Sequence, residues 1–257
     1  HAGSAFYPSR FLNSAILCMD AVGEWATTSA WIGEGEKISP IWEVNFPHSL
    51  GMLYSAFTYY CGFKVNSGEY KLMGLAPYGS PKYKNLILDN LINIKDDGSF
   101  NLNMKYFKYH RGLKMISSKF TKLFKKKERS PSEEITQFYM DVASSIQEVT
   151  EDVVLKIAKK LREDTNMENL CLSGGVALNC VANGKLIDFS GFKNIWIQPA
   201  SGDAGSAVGC ALSYLYNQKK INRKVSKSDS MQSAYLGPRF KKNDILDYLK
   251  NQKINFE

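Results

Sequence analysis

No stretch of this 257-residue chain holds the run of about eighteen apolar residues that a membrane-crossing helix needs, so no membrane partner is expected. Nor do the first residues join a charged region to an apolar one, and no signal peptide is expected. The five cysteines, Cys18, Cys61, Cys171, Cys180 and Cys210, are odd in number and far apart, and no two of them form a Cys-x-x-Cys pair. That spacing excludes a zinc knuckle or a disulfide framework and predicts reduced core thiols in a cytoplasmic protein. A Walker A sequence is also missing, which excludes a P-loop. At 44% hydrophobic residues, the chain can bury a substantial core as one large domain or two modest ones.

A net positive charge is missing from most of the chain. The net charge is +8, yet residues 82–129 alone carry thirteen Lys or Arg against four Asp or Glu, so the remainder is close to neutral. Such a concentration suits either a nucleic-acid surface or a solvated insertion. Its densest part, Lys119 to Arg129, interleaves Phe120, Leu123 and Phe124 with lysines and offers no aromatic stacking platform. The insertion reading is therefore preferred, as a mobile surface excursion, and no nucleic-acid partner is expected.

The most informative stretch runs from Asn169 to Gly209. Leu170-Cys171-Leu172 reads as a buried strand, Ser173-Gly174-Gly175 as a turn, and the residues through Asn179 as the opening of a helix. Ile195-Trp196-Ile197, Gly202 and Gly205 repeat the device. A helix N-terminus after such a turn points free N–H groups at phosphate, so Gly174, Gly175, Asn179 and Gly202 are candidate nucleotide-binding residues. Asp203, at the second helix start, is either a cap or a ligand for a metal or phosphate; spacing favours the cap.

Ahead of this stretch, a short helix stops at Pro8. A hairpin follows, with strands at 15–20 and 25–32, its first strand closing on Asp20 and its turn holding Gly23, a further nucleotide-binding candidate. A third strand covers 38–44, and residues 49–63 form a buried apolar helix ending at Gly62. Residues 67–79 read as a glycine-punctuated loop in which Glu69 and Lys71 form an exposed ion pair. Ser130, Pro131 and Glu133 form a capping box opening a helix to about Arg162, whose core face runs through Ile135, Phe138, Tyr139, Val142, Ile146, Val149, Val153, Ile157 and Leu161. The organisation expected is a domain over 1–216 with a basic insertion at 82–129, a linker over 217–234, and the start of a further region, with a short helix, over 235–257.

The acidic hairpin, the glycine turns and the long helix match half of the actin-like, Hsp70-like and sugar-kinase (ASKHA) ATPase plan, an α/β fold with a mixed sheet flanked by helices. Six motifs go further: His1 to Ser9, Gly23-Glu24-Trp25-Ala26-Thr27-Thr28, Pro47-His48-Ser49-Leu50-Gly51, Glu69 to Gly79, Ser173 to Asn179, and Tyr235-Leu236-Gly237-Pro238. In this order they resemble the NodU/CmcH carbamoyltransferases. The resemblance covers that family's actin-like domain without its first part and without the YrdC-like domain that follows.

It implies O-carbamoyl transfer in two stages. The YrdC-like domain makes carbamoyladenylate from carbamoyl phosphate and ATP; the actin-like domain holds the adenylate and passes the carbamoyl group to a hydroxyl of a sugar-like or antibiotic-like acceptor. It further implies a divalent metal, iron or alternatively magnesium or manganese, held by a His-x-x-x-His helix and two carboxylates. Here His1 would be the second histidine, Asp20 and Asp203 the carboxylates, and the first histidine would precede residue 1, leaving the site incomplete. His48 is a candidate general base or a helix cap. Lys71 could neutralise phosphate or simply pair with Glu69. A homodimer is compatible with this reading. The rival readings are a tRNA threonylcarbamoyl-transfer-like ATPase and an actin-like small-molecule kinase.

Overall fold

The computed structural model describes residues 1–257. Helix α1 (Ala2–Phe6) precedes a meander of three strands, β1 (Asn13–Met19), β2 (Ala26–Glu34) and β3 (Lys37–Asn45). Then come α2 (Leu50–Tyr60), α3 (Glu69–Leu75), α4 (Lys84–Asn90), the small hairpin β4 (Ile92–Ile94) and β5 (Phe100–Leu102), and α5 (Ser118–Leu123). The long helix α6 (Gln137–Thr165) leads to β6 (Asn169–Ser173), α7 (Cys180–Phe189), β7 (Asn194–Ile197), α8 (Asp203–Ser213) and α9 (Lys242–Asn251).

One five-stranded sheet, in the order β3-β2-β1-β6-β7, organises the chain. The meander pairs antiparallel, whereas β1 with β6 and β6 with β7 pair parallel. Helices cover the sheet, so the expected mixed α/β sheet flanked by helices is present. As the central strand, β1 is apolar on both faces, as burial on both sides requires. Ala15, Leu17 and Met19 belong to a large core with α2 and α6, while Ile16 and Cys18 join Phe6 of α1 in a smaller one.

Local chemistry fixes where α2 begins and ends. Ser49 Oγ accepts from Met52 N (3.0 Å) and donates to the carbonyls of Asp20 and Ala21, which ties the helix start to the end of β1. A Cβ on Gly51 would lie 2.7 Å from both Asp20 O and Ala21 N, so only glycine permits that approach. Gly62, at φ +76°, ends the helix as expected.

Four expectations need correction. Helix α6 starts at Gln137, although Glu133 does reach back to the Ser130 N–H (2.9 Å) as a capping box would. The buried Arg129 guanidinium donates to the carbonyls of Ser130, Pro131 and Glu133, the very acceptors a first helical turn would use. Residues 69–75 are helical rather than a loop, because Glu69 accepts from the N–H groups of Asn66 and Gly68 and holds the helix start. The segment 217–234 is not a free linker, since Arg223 and Met231 within it are buried against the body.

The fourth correction concerns the basic segment, which is no surface excursion. Ile87, Leu91, Phe100, Phe120 and Phe124 lie in the same core as α2 and α6. The Phe120 ring meets Phe57, Tyr60, Phe107 and Phe124 at centroid distances of 5.0–6.1 Å. The aromatic residues between the lysines thus point inward, leaving the lysines outside. Phe120→Ala should destabilise the protein by about 3–5 kcal/mol in urea-unfolding measurements, where an excursion would show no measurable change.

Candidate functional site

Asp20 follows the last residue of β1, and both ends of its peptide are anchored. Its N–H donates to Thr27 O (2.8 Å) across the hairpin, and its carbonyl accepts from Ser49 Oγ (3.1 Å). The side chain is then aimed at two partners: Oδ1 accepts from Gly175 N (3.1 Å), and Oδ2 lies 2.8 Å from His1 Nε2. His1 caps the start of α1, and its carbonyl accepts from Ser4 Oγ and Ser173 Oγ. On the other side of the imidazole, Nδ1 stands 3.3 Å from Ser206 Oγ of α8, leaving Nε2 to face the carboxylates.

Asp203 opens α8 and brings Oδ1 to 3.8 Å from His1 Nε2. Its side chain is 97% exposed and caps nothing, against 14% for Asp20; the cap reading is therefore corrected. One ligand atom from each of His1, Asp20 and Asp203 lies within 4.8 Å of the other two. Two carboxylate oxygens and an imidazole nitrogen are a donor set that suits a borderline divalent cation. Their convergence rests on how closely α1 approaches α8: a Cβ on Gly209 would sit 2.7 Å from Ser4 N.

The cluster opens into a cleft of about 630 Å³, within the range of small-molecule sites. Asp20, Gly175, Asn179, Gly202 and Asp203 line one wall, and residues of α2 and α3 the other. The model of the family described as Carbamoyltransferase N-terminus matches residues 1–212. The chain belongs to that family. It is 60% identical over 254 residues to an uncharacterized protein of Synechocystis sp., covering 99% of this chain and 41% of that protein. Identity to the nodulation protein NolNO of Sinorhizobium fredii is 33%, over 93% of this chain and 33% of the relative; to NolO of Bradyrhizobium diazoefficiens it is 35%, over 82% and 36%. The chain thus spans between a third and about two fifths of the length of these relatives.

Not every expected residue of this carbamoyltransferase N-terminus meets in the cleft. Gly174 lies behind the wall at φ +89°, where a Cβ would be 2.1 Å from Met19 O, so it clears the β1–β6 contact. The turn after it feeds a short 3-10 turn, Gly175–Leu178, instead of a helix, and α7 begins at Cys180. Asn179 caps α7 by accepting from Ala182 N, and Gln147 occupies the rest of its amide. Gly202 lines the cleft with open space around it, whereas Gly23, in the β1–β2 turn, lies outside the lining.

His48 and Lys71 are not brought to the cleft. His48 Nδ1 accepts from Leu102 N (3.0 Å), fastening the β4–β5 hairpin, and Ser49 supplies the α2 cap. Lys71 is exposed on α3, with Nζ 5.9 Å from the Tyr70 ring centroid. Its expected pair does not form, because Glu69 is engaged by Ser55 Oγ (2.7 Å) and its own turn.

Sequence reasoning missed a buried polar chain that reaches the cleft through Tyr54 and Asn179. Tyr54 OH donates to Gln147 Oε1 (2.8 Å), Gln147 Nε2 donates to Glu151 Oε1 (2.7 Å), and Glu151 pairs with Lys185. Burial pushes the Tyr54 phenol well above its ordinary range. The available signal was Gln147 and Glu151, two polar residues one turn apart beside the apolar face of α6.

Two glycine substitutions separate close packing from open surface. Gly209→Val should cost about 1–3 kcal/mol by overpacking α1 against α8. Gly184→Ala in α7, where a Cβ meets nothing within 4 Å, should gain up to about 1 kcal/mol from helix propensity. Urea midpoints of the two variants check both signs.

Proposed function

We propose that this chain is the carbamoyl-transfer portion of an O-carbamoyltransferase, working on a carbamoyladenylate held in the cleft. The convergence of His1, Asp20 and Asp203 at the mouth of that cleft carries the reading. Three antiparallel strands followed by two parallel ones support an actin-like, ASKHA-type half. The whole enzyme would draw on carbamoyl phosphate and ATP through a YrdC-like domain, in the cytoplasm, and act on a hydroxyl of a sugar-like or antibiotic-like acceptor.

His1, Asp20 and Asp203 would hold a divalent cation, iron in this reading, with magnesium or manganese as alternatives. Such an ion supplies a Lewis acid for the carbamoyl carbonyl. The protein's own part is orientation. Gly175 N fixes the Asp20 carboxylate, Ser206 fixes the His1 ring, and Gly202 leaves room for the adenylate beside Asp203. In the transfer, the acceptor oxygen bonds to the carbamoyl carbon, the bond from that carbon to the adenylate phosphate oxygen breaks, and the hydroxyl proton leaves with the departing AMP. With His48 fastened to Leu102, this reading gives the proton to that phosphate.

The tRNA-modifying alternative would use the basic segment. The inward packing of Phe120 and Phe124 removes the aromatic residues a stacking surface there would need, which favours the small-molecule reading.

The test is made in the full-length protein with Asp20→Asn and Asp203→Asn. The first keeps an oxygen for the Gly175 N–H, so the fold should survive. Metal affinity and carbamoyl transfer to a sugar panel should each fall on the order of a hundredfold. Wild-type metal content and transfer in both variants would overturn the assignment.

A further inference from the structure

Arg223 is a buried cation with no carboxylate in salt-bridge range, in a segment whose composition suggests a free linker. Burying an unpaired charge is costly unless its donors find acceptors, and here four backbone carbonyls accept from it. Nε donates to Tyr7 O (3.1 Å), Nη1 to Gly35 O (3.2 Å), and Nη2 to Phe6 O (2.7 Å) and Ser9 O (3.0 Å). The guanidinium also stacks 4.2 Å from the Phe6 ring centroid. The Arg223 N–H donates to Glu36 Oε1 (2.8 Å), while Tyr7 OH donates to Glu36 O (3.0 Å).

Three of those carbonyls belong to the exit of α1, where a helix leaves acceptors without intrahelical partners. Gly35 and Glu36 form the β2–β3 turn. One side chain therefore joins the end of α1, the sheet and the strap from 217 to 234. The other end of α1 is His1, about 8 Å away at 1.5 Å per residue. So short a helix takes its pose from what it packs against, α8 at Ser4 and Arg223 at its exit, and a tilt at its exit moves the imidazole.

We propose that Arg223 is a positioning residue for the His1–Asp20–Asp203 cluster. Its guanidinium sets the pose of α1 and so keeps His1 Nε2 within reach of both carboxylates. The inference rests on reading the cluster as a cation site, although its mechanical part, the hold on α1, stands without it.

The experiment compares Arg223→Met, Arg223→Lys and Met231→Ala in the full-length protein. Met231 is a buried residue of the same strap whose hydrogen bonds stay within the strap, so its variant controls for loss of strap packing. Two readouts are taken: Co²⁺ affinity by visible-absorption titration, and hydrogen exchange of the α1 amides without metal. Arg223→Met should weaken Co²⁺ binding about tenfold and speed α1 exchange. Met231→Ala, despite a lowered unfolding midpoint, should change neither. Arg223→Lys should fall between, since an ammonium cannot span the carbonyls of Phe6 and Gly35 together.

Wild-type Co²⁺ affinity and unchanged α1 exchange in Arg223→Met would overturn the proposal. Equal effects from Met231→Ala would overturn it too, by reducing Arg223 to general packing. If the wild-type protein binds no Co²⁺, the cation reading fails, and the exchange data still decide the hold on α1. Should Arg223→Met not fold, Glu36→Ala, which removes the acceptor of the Arg223 N–H, tests the same link, and unchanged affinity and exchange there would count against it.

Discussion

The Asp20 carboxylate is held from two sides, by an imidazole at 2.8 Å and a backbone N–H at 3.1 Å, and the cleft is arranged around that restraint. Its bond to Gly175 links the end of β1 to the turn after β6, two strands that are already parallel neighbours. Its contact with His1 links the sheet to α1, which in turn lies against α8 and Asp203. Hydrogen bonds to charged groups are among the stronger ones in proteins, and here each ties together elements distant in sequence. Small residues do the rest, since Gly51 lets α2 meet the end of β1 and Gly209 lets α1 meet α8.

Much of this was legible in the sequence because it is local. The hairpin ending on Asp20, the strand-turn units around Gly175 and Gly202, and the apolar face of α6 all follow from periodicity and turn chemistry. Misreadings arose where a distant side chain competed for the backbone. Arg129 takes the carbonyls that would have opened α6 at Ser130, and Gln147 bonds the amide of Asn179, which still lines the cleft. His48 was misplaced for the same reason, its ring nitrogen being used by Leu102. No spacing rule foretells such long-range pairings. The meeting of His1, Asp20 and Asp203 was expected from family resemblance and not from pattern.

Two arginines show how composition misleads. Arg129 closes a segment that looks solvated, and Arg223 lies in one that looks like a linker. Both are buried and held by backbone carbonyl oxygens, five around Arg129 and four around Arg223. Neither forms a salt bridge, so charge counting assigns both to the surface. The guanidinium, with five donors in a rigid fork, acts here as a backbone organiser. Lysine could not take this part, and the lysines of the basic segment remain outside.

The pairing of β1 has a consequence for how the chain comes together in time. On one side its partner β2 follows within a few residues, but on the other it must wait for β6, as Ala15 pairs with Leu170. Until that distant strand is available, the most apolar strand of the sheet has one edge with unsatisfied hydrogen-bonding groups. Closure over so long a loop is slow compared with hairpin formation. During synthesis, residue 170 emerges several seconds or more after residue 15, at about 5–20 residues per second. A nascent chain therefore carries a finished meander with a sticky margin, and the cleft is among the last features to be assembled.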